Sequence, residues 1–366
     1  MKRKLNFICF NAITINQFFL DTLKILSKEY DIEIFATNCE KIKNNNIKKT
    51  NLKLSKNYSN YLNILYLFKS LLILRKLIKY KKNEIFYTNT PFISALFRIA
   101  SIGINSKIVY HVHGFRFHKK SNKIKYILFF LIEYILKFKT NAFIVINNED
   151  EQIVKKYFKK NYLKINGIGI TYRMDLKSFK KINKERNIDD LKIIVISAYR
   201  KNKGYDKIII IAEQLQKLNL DIHIDCFGYG DKKKYLNLIS KKNLKNIQLN
   251  DFDDKLTDKI INYDLMLHTS YREGLPVSVM QCLNCGIPVF GFNIRGMNDL
   301  IKKNYNGNLY EINEEKKIVN EIAALYHDRK TLNFLKSNSF KSLDESYNNN
   351  YVTKQLIKFL NKIYEI

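Results

Sequence analysis

Short apolar runs and longer amphipathic stretches alternate along the whole chain. The apolar runs have the length of buried strands and cover residues 5–9, 31–36, 84–87, 108–111, 142–146, 193–197, 221–227, 247–249, 265–267 and 288–292. Between them the pattern predicts helices over residues 18–28, 61–79, 91–100, 148–159, 314–329 and 351–366. Strands that alternate with helices in this way indicate parallel sheets covered by helices, so the predicted fold class is α/β.

Two stretches interrupt this alternation. Residues 167–179 are predicted to be a linker between domains, and residues 336–350 are polar. We therefore expect a first domain over residues 1–170, a second over residues 171–345 and a terminal helix over residues 346–366. A chain of 366 residues, of which 46% are hydrophobic, is long enough to give each domain a full core.

The most informative stretch is residues 263–301, YDLMLHTSYREGLPVSVMQCLNCGIPVFGFNIRGMNDLI. A buried strand leads into a turn, and the next helix is predicted to begin at Pro276 and to end before Gly286, positions that suit these two residue types. Free backbone N–H groups and the positive end of the helix dipole at this turn suit an anion such as a diphosphate. Glu273 lies beside that point, and Gln281 follows eight residues later.

This unit resembles the signature of the retaining glycosyltransferases of family 4, which have a GT-B fold and a Glu-x7-Glu motif. The resemblance rests on Arg-Glu-Gly-Leu-Pro-Val, Cys-Gly-Ile-Pro-Val and Ile-Arg-Gly-x-x-Asp-Leu-Ile. It implies two Rossmann-like domains that face a cleft, with the C-terminal helix returning to the first domain. It also implies transfer of a sugar from a nucleotide diphosphate to an acceptor hydroxyl, with retention at the anomeric carbon and without a metal or other cofactor.

The resemblance assigns roles on the donor side. Glu273 matches the first Glu, which contacts donor-sugar hydroxyls, and Gln281 stands where the second Glu would hold the ribose. An amide can still bind a diol, but it lacks the charge that strengthens such bonds. Lys203 matches the lysine of a basic pair that clamps the diphosphate, whereas the family arginine would stand at Ala198, so Arg200 is expected to substitute from another offset. The other donor-binding residues that we expect are Gly228, Gly274, Leu275 and Val277.

Candidate acceptor-side residues follow the strand at 108–111. Two histidines one residue apart could ligate zinc, but no acidic or cysteine partner lies nearby in the sequence. His113 instead resembles a family histidine close to the reaction centre, and a structural histidine is the alternative. Arg116 and His118 could meet a diphosphate on the acceptor.

The first predicted turn, residues 11–16, contains no glycine, so the glycine-rich phosphate-binding mechanism does not apply there. In the family this turn faces the cleft from the acceptor side. Thr14 and Asn16 are therefore acceptor-side candidates, and a plain loop is the alternative.

The chain carries a formal charge of +30, from 64 Lys and Arg against 34 Asp and Glu. The lysines are spread among many Asn and Ile residues and no nucleic-acid-binding signature is visible, so we expect an anionic membrane surface and not a nucleic acid as partner. Residues 123–139, KIKYILFFLIEYILKFK, have an uncharged run far below the roughly 18 residues that a spanning helix needs. They fit either a helix that lies in a membrane interface or a core helix of the first domain.

The five cysteines show no spacing typical of a disulfide framework. Cys282 and Cys285 lie in the apolar helix of the signature unit, which favours buried small residues over a redox or zinc site. The odd count and the absence of a signal peptide favour a reducing cytoplasm, so we expect a peripheral protein on the inner face of the cytoplasmic membrane. The expected substrates are a UDP-linked sugar and a polyprenyl-diphosphate-linked saccharide of a surface polysaccharide.

Three other functions compete with this interpretation. A GT-B-fold epimerase would need a carboxylate placed for proton abstraction, and the sequence does not reveal one. A non-catalytic relative that binds nucleotide sugars is suggested by Gln281, and a nucleic-acid-binding protein by the charge. Residues 251–253, Asp-Phe-Asp, imitate the Asp-x-Asp of metal-dependent transferases of another fold, but they follow a short strand and match a surface loop.

Overall fold

The computed structural model describes residues 2–44, 46–52, 54, 64–81, 83–171, 190–253 and 255–365. The chain forms two compact units, one of residues 1–171 with 346–366 and one of residues 172–345. Within these described ranges each unit is built on one parallel sheet, with seven strands in the first and six in the second. The predicted α/β class is therefore confirmed.

In the first unit the strand order is β3-β2-β1-β4-β5-β6-β7, and in the second it is β10-β9-β8-β11-β12-β13. The strands of the first unit are β1 (Arg3–Asn11), β2 (Tyr30–Thr37), β3 (Lys48–Asn51), β4 (Ile85–Asn89), β5 (Lys107–Val112), β6 (Ala142–Val145) and β7 (Asn161–Lys164). Those of the second are β8 (Leu191–Ile196), β9 (Ile222–Gly228), β10 (Ile247–Asp251), β11 (Leu265–His268), β12 (Val289–Phe292) and β13 (Gly307–Tyr310).

The helices of the first unit are α1 (Ala12–Phe18), α2 (Leu20–Glu29), α3 (Ile64–Tyr80), α4 (Pro91–Ala100), α5 (Lys123–Leu136) and α6 (Asn148–Ile153). Those of the second are α7 (Tyr205–Gln216), α8 (Lys233–Lys241), α9 (Leu256–Ile260), α10 (Val277–Asn284), α11 (Met297–Leu300), α12 (Glu315–His327) and α13 (Arg329–Lys341). The last helix, α14 (Asn349–Glu365), returns to the first unit and packs on α2, as predicted.

Buried strands form the centre of each unit. In β1 the side chains of Leu5, Phe7, Ile8 and Cys9 have no exposed surface, because helices cover both faces of the sheet. Continuous apolar runs of this kind are what the sequence showed at the predicted strands. Within the described residues, no helix is both long enough and apolar enough to cross a membrane.

At two places the structure contains a helix that the sequence pattern did not indicate. Residues 11–16 are not a plain loop, since Asn11 caps α1 by accepting a hydrogen bond from the backbone N–H of Thr14. The polar stretch 336–350 contains the end of α13, in which Lys336 is buried against Asp264, with Nζ 3.1 Å from Oδ1. A lysine buried through an ion pair hides the apolar side of a helix from a hydrophobicity pattern.

Other bounds differ by smaller amounts. The predicted helix 18–28 is α2, which begins at Leu20, and α1 precedes it. The predicted helix 148–159 is α6 followed by a wider turn over Val154–Phe158. Most of the predicted linker lies outside the described residues, as do residues 61–63 of the predicted helix 61–79.

Helix α5 combines features of the two interpretations given to residues 123–139. It packs on the core of the first unit through Glu133 and Leu136, which are buried, and through partly buried Phe129 and Phe130. The opposite side of the helix is exposed and apolar, with Ile124 78% and Ile135 65% exposed.

Candidate active site

The candidate site of the second unit begins where β8 ends and a short turn leads into α7. Gly204 closes this turn with φ 72°, and a Cβ atom there would lie 2.1 Å from the carbonyl oxygen of Thr269. Only glycine allows this approach, and the Thr269 hydroxyl completes it by donating to the carbonyl of Gly204 at 3.1 Å. The contact places Lys203, just before the glycine, next to the turn that follows β11.

Lys203 and Glu273 meet at this point, although 70 residues separate them. Nζ of Lys203 lies 2.5 Å from Oε1 of Glu273, and the side chains are 22% and 14% exposed. Nε2 of His268, at the end of β11, lies 3.3 Å from the same carboxylate oxygen. Arg295 fixes the backbone of the turn, since its Nε donates to the carbonyl of Glu273 at 3.1 Å. A carboxylate and a cation are thus held together at the carboxyl ends of parallel strands.

The environment of Glu273 keeps its carboxylate ionised. Burial by itself raises the pKa of a carboxyl group, but the ammonium of Lys203 and the contact with His268 outweigh it. The net effect is that the pKa of Glu273 lies below its ordinary value. An ionised carboxylate is a strong acceptor for hydroxyl groups, and its partner cation is suited to an anion.

Helix α10 begins directly after this carboxylate. Pro276 is its N-cap, one residue earlier than a first helical position, and no side chain caps the first turn. The backbone N–H groups at the start of α10, beginning with Val277, therefore remain available to an anion. Gln281 is partly buried in the middle of α10, and its side-chain amide has no hydrogen-bond partner among the described residues. Gly286 has φ 73° and lies past the helix end, as predicted.

Gly274 and Leu275 connect Glu273 to α10. A Cβ atom at Gly296 would lie only 2.1 Å from the carbonyl oxygen of Gly274. The turn before α10 therefore packs tightly on the turn before α11. Leu275 is buried, and Val277 is partly buried. These residues give the site a rigid backbone, and their predicted contacts with the donor remain predictions.

Gly228 and Arg200 stand at the neighbouring strand ends. A Cβ atom at Gly228 would lie 2.0 Å from the carbonyl oxygen of Ser197, so packing between β9 and the end of β8 already requires glycine there. Arg200 is exposed, and its guanidinium carbon lies 5.8 Å from the ring centroid of Tyr229. Among the described ion pairs, Glu273 pairs with Lys203 and not with Arg200.

In the first unit, His113 follows β5 and lies beside the end of β4. Its Nε2 is 3.4 Å from Oδ1 of Asn89, and its ring meets that of His111 with centroids 4.1 Å apart. Nδ1 of His111 forms a 2.6 Å hydrogen bond with the hydroxyl of Tyr87. Burial lowers the pKa of His113 to about 4, so the imidazole is neutral near pH 7. A neutral histidine at this edge can donate or accept a hydrogen bond.

The other predicted acceptor-side residues make local contacts. Thr14 donates from its backbone N–H and its hydroxyl to Oδ1 of Asn11, both at 3.0 Å, and Asn16 donates to the carbonyl of Lys41 at 2.8 Å. Arg116 is exposed, with its guanidinium carbon 5.5 Å from the ring centroid of Phe129, and His118 is partly buried. These contacts explain Thr14 and Asn16 as structural residues, and an acceptor role for the four residues remains a prediction.

Sequence reasoning missed three residues of these sites. Arg295 lies in a motif that was recognised without a role for its arginine, and His268 is the polar end of an otherwise apolar strand. Thr90 has φ 66°, which is rare for a β-branched residue, and its buried hydroxyl has no partner among the described residues. No sequence pattern would have revealed that strain, although Thr90 stands directly before Pro91.

The two carboxylates of the Asp-Phe-Asp stretch form ion pairs with lysines. Asp251 pairs with Lys232 at 2.9 Å, and Asp253 pairs with Lys259 at 2.5 Å.

All five cysteines are free and buried, and burial raises the pKa of Cys285 to about 12. Buried protonated thiols in α10 (Cys282) and directly after it (Cys285) agree with the predicted packing role.

The chain is similar to known glycosyltransferases. Residues 177–342 match the family described as Glycosyl transferases group 1. A UDP-Gal:alpha-D-GlcNAc-diphosphoundecaprenol alpha-1,3-galactosyltransferase of Escherichia coli is 27% identical over 299 residues, which are 76% of this chain and 76% of the relative.

Two solved structures show the same fold. Sucrose-phosphate synthase from Thermosynechococcus elongatus superposes with a TM-score of 0.79 at 13% identity, over 100% of each chain. HepE from Anabaena, in complex with UDP and glucose, superposes with a TM-score of 0.75 at 14% identity, over 98% of this chain and 100% of that one. The chain is therefore a glycosyltransferase with the GT-B fold, and its residues 177–342 are similar to the group 1 glycosyl transferases.

Proposed function

We propose that this enzyme transfers a sugar from a UDP-linked donor to a hydroxyl of a polyprenyl-diphosphate-linked saccharide. We propose further that the anomeric configuration is retained, which is the outcome that the resemblance to family 4 implies. The observation that carries the donor half of the proposal is the Lys203–Glu273 pair at the strand ends, 2.5 Å apart and in front of the uncapped start of α10. The donor diphosphate would bind to the ammonium of Lys203 and to the backbone N–H groups at the start of α10. The hydroxyls of the donor sugar would donate hydrogen bonds to the carboxylate of Glu273.

This arrangement stabilises the leaving group by fixed charges. The bond between the anomeric carbon and the diphosphate oxygen breaks, and the charge that develops on that oxygen is met by the ammonium of Lys203 and by the helix N-terminus. The acceptor hydroxyl attacks from the same face and its proton passes to the leaving phosphate oxygen, which gives retention. We assign no metal ion or other cofactor a part in this reaction.

The acceptor half of the proposal is supported by similarity and charge. The Escherichia coli relative is named for UDP-galactose and for a diphosphoundecaprenol-linked acceptor. The first unit offers neutral His113 at the end of β5, with Arg116 and His118 further along the same loop. Assembly of a surface polysaccharide on a lipid carrier, at the inner face of the cytoplasmic membrane, is the setting that fits this pair of substrates.

A non-catalytic protein that binds nucleotide sugars is the second candidate, because Gln281 replaces a charged residue of the family motif. Thermal-shift titration against a panel of nucleotide sugars, followed by transfer assays with the sugars that bind, distinguishes the two. We expect a UDP-sugar to raise the melting temperature and to be turned over with a polyprenyl-diphosphate saccharide, and nuclear magnetic resonance of the product should show the anomeric configuration of the donor.

The matched control is Glu273→Gln, which keeps the size of the side chain and removes its charge. We expect this variant to melt at nearly the same temperature without donor and to give no product. Binding without turnover by the wild type, over the full panel of acceptors, would favour the non-catalytic candidate. An inverted product would contradict retention while leaving the transferase assignment intact.

A further inference from the structure

An exposed apolar surface lies on three neighbouring helices of the first unit, α3, α4 and α5. Of the 24 exposed large apolar side chains among the described residues, 15 lie between residues 66 and 138. On α5, Ile124, Ile127, Leu131 and Ile135 recur at helical spacing and are 49–78% exposed. A monomeric protein rarely leaves so large an apolar surface open to water. We call the exposed sides of α3, α4 and α5 the three-helix face.

Direct contacts hold the three helices together. Arg75 of α3 donates to the carbonyl of Ile102, just beyond α4, at 2.6 Å. Arg98 of α4 pairs with Glu133 of α5 at 2.8 Å. Between these two contacts, Ile99 and Ile102 are 39% and 56% exposed. The apolar side chains therefore form one surface and not three separate stripes.

The charge of this surface has one sign. Residues 64–139 contain 15 Lys and Arg but only two acidic residues, Glu84 and Glu133. The side chain of Glu133 is 8% exposed and pairs with Arg98, and that of Glu84 is 18% exposed and lies 3.2 Å from Lys81. Both acids are thus paired with cations, whereas five lysines of α3 and α5 are exposed and leave the three-helix face positively charged. These lysines are Lys69, Lys76, Lys79, Lys123 and Lys125.

We propose that the three-helix face docks the enzyme on an anionic lipid bilayer, with its apolar side chains at the boundary between headgroups and acyl chains. Lysines next to apolar residues favour this occupant over another protein, because lysine is depleted in protein interfaces and gains attraction at anionic headgroups. The 14 residues of α5 span about 21 Å, which suits a helix that lies in the interface and not one that crosses the bilayer.

This inference deepens the proposed function, because a polyprenyl-linked acceptor is anchored in the same bilayer. Docking on a bilayer would also explain why one side of α5 is apolar and exposed, which packing within the unit does not explain. Docking requires no transfer, so it can be measured without any sugar substrate. Failure of docking and failure of transfer are therefore separate results.

The test is co-sedimentation of the full chain with phosphatidylcholine vesicles, with and without about one third phosphatidylglycerol. We expect binding only to the anionic vesicles and, for Ile127→Glu combined with Leu131→Glu, a partition coefficient at least about tenfold lower. The matched control is Leu218→Glu combined with Leu236→Glu, which alters residues of the second unit that are 45% and 42% exposed. This control should bind vesicles as the wild type does.

A second variant addresses the charge. Alanine at the four lysines before and within the start of α5 should weaken binding, and added salt should imitate the change, because exposed charges are screened beyond about 10 Å at roughly 0.1 M salt. The four lysines are Lys119, Lys120, Lys123 and Lys125.

Three outcomes would overturn the proposal. They are a wild type that stays in the supernatant with anionic vesicles at low salt, a control that loses as much binding as the α5 variant, and an α5 variant that converts a dimer into a monomer without any vesicle binding by the wild type. Normal docking with no transfer would overturn only the proposed function. Transfer to a short water-soluble acceptor should be equal in all these variants, because none of the substituted residues lies in the candidate site.

Discussion

Two ion pairs, one in each unit, have similar short distances but differ in their access to water. Arg98 and Glu133 lie 2.8 Å apart between α4 and α5, with side chains 0% and 8% exposed. Lys203 and Glu273 lie 2.5 Å apart at the ends of parallel strands, with side chains 22% and 14% exposed. The first pair joins two helices, whereas the second faces the side of the sheet where ligands of α/β proteins bind.

A short distance does not by itself decide the role of an ion pair. A buried pair whose charges have no access to water must stay closed, since a charge left alone in the core is very costly. A pair at a strand end can open when a ligand offers an anion to the lysine and hydroxyls to the carboxylate. The following predictions separate stability from activity on this basis.

The largest effect is expected for Glu273→Gln. Loss of the ionised carboxylate should lower kcat/KM for transfer by about 10³-fold or more, because it removes a preorganised charge from the reacting centre. The free energy of unfolding should change by only about 1 kcal/mol, since Lys203 can turn to water. Steady-state kinetics and urea unfolding measure the two quantities. A loss of stability that accounts for the lost activity would show a structural role instead.

The converse is expected for Glu133→Gln. Removing one partner of the buried pair should lower the free energy of unfolding by about 3–5 kcal/mol, because the guanidinium of Arg98 is left without its counter-charge. Transfer to a water-soluble acceptor by the folded fraction should be unchanged. Urea unfolding monitored by circular dichroism gives the first value. The comparison of the two pairs fails if Glu133→Gln is as stable as the wild type.

The units should also differ in their response to acid. Burial lowers the pKa of His113 from 6.5 to about 4, so the unfolded chain binds a proton between these pH values and the folded chain does not. Stability should therefore fall as the pH drops from about 6.5 to 4, and His113→Gln should remove about 1–3 kcal/mol of this loss.

Glu273 stabilises the folded chain through a favoured charged form, and this stabilisation changes over a lower pH range than that of His113. Because its folded pKa is depressed, its stabilisation is present above the ordinary value of 4.5 and is lost only below it. Urea unfolding at a series of pH values measures both ranges. An identical pH dependence for His113→Gln and the wild type would show that His113 does not titrate as its burial implies.

The smallest effect concerns Gln281. If this residue holds the ribose, Gln281→Glu should tighten donor binding by roughly tenfold, because charge-assisted hydrogen bonds are about twice as strong as neutral ones. Gln281→Ala should weaken binding. Calorimetric titration of the donor measures both. Two silent variants would place Gln281 outside the donor site.

Much of the fold was predictable because buried parallel strands are continuous apolar runs. Helices α13 and α1 were not predictable in this way, since α13 buries Lys336 through Asp264 and α1 depends on a cap by Asn11. The sequence motifs pointed to Lys203 and Glu273 one at a time.

Their pairing could not be predicted from the motifs. It depends on Gly204 packing against the carbonyl of Thr269, 65 residues later in the chain. The contact of His268 with Glu273 depends on how the turn after β11 folds back on the end of its own strand. A motif gives residue types and spacing, but distances between side chains from separate strands follow from packing.

The central claim is that the strand ends of the second unit bind the diphosphate of the donor through Lys203. Calorimetric titration of UDP-sugar into Lys203→Ala tests it most directly, with Lys201→Ala, an exposed lysine of the same turn, as the matched control. We predict that donor affinity falls by about a hundredfold in Lys203→Ala, as expected for a charge-assisted contact with an anion, and by less than about twofold in Lys201→Ala. Equal donor affinity in Lys203→Ala and the wild type would contradict the account.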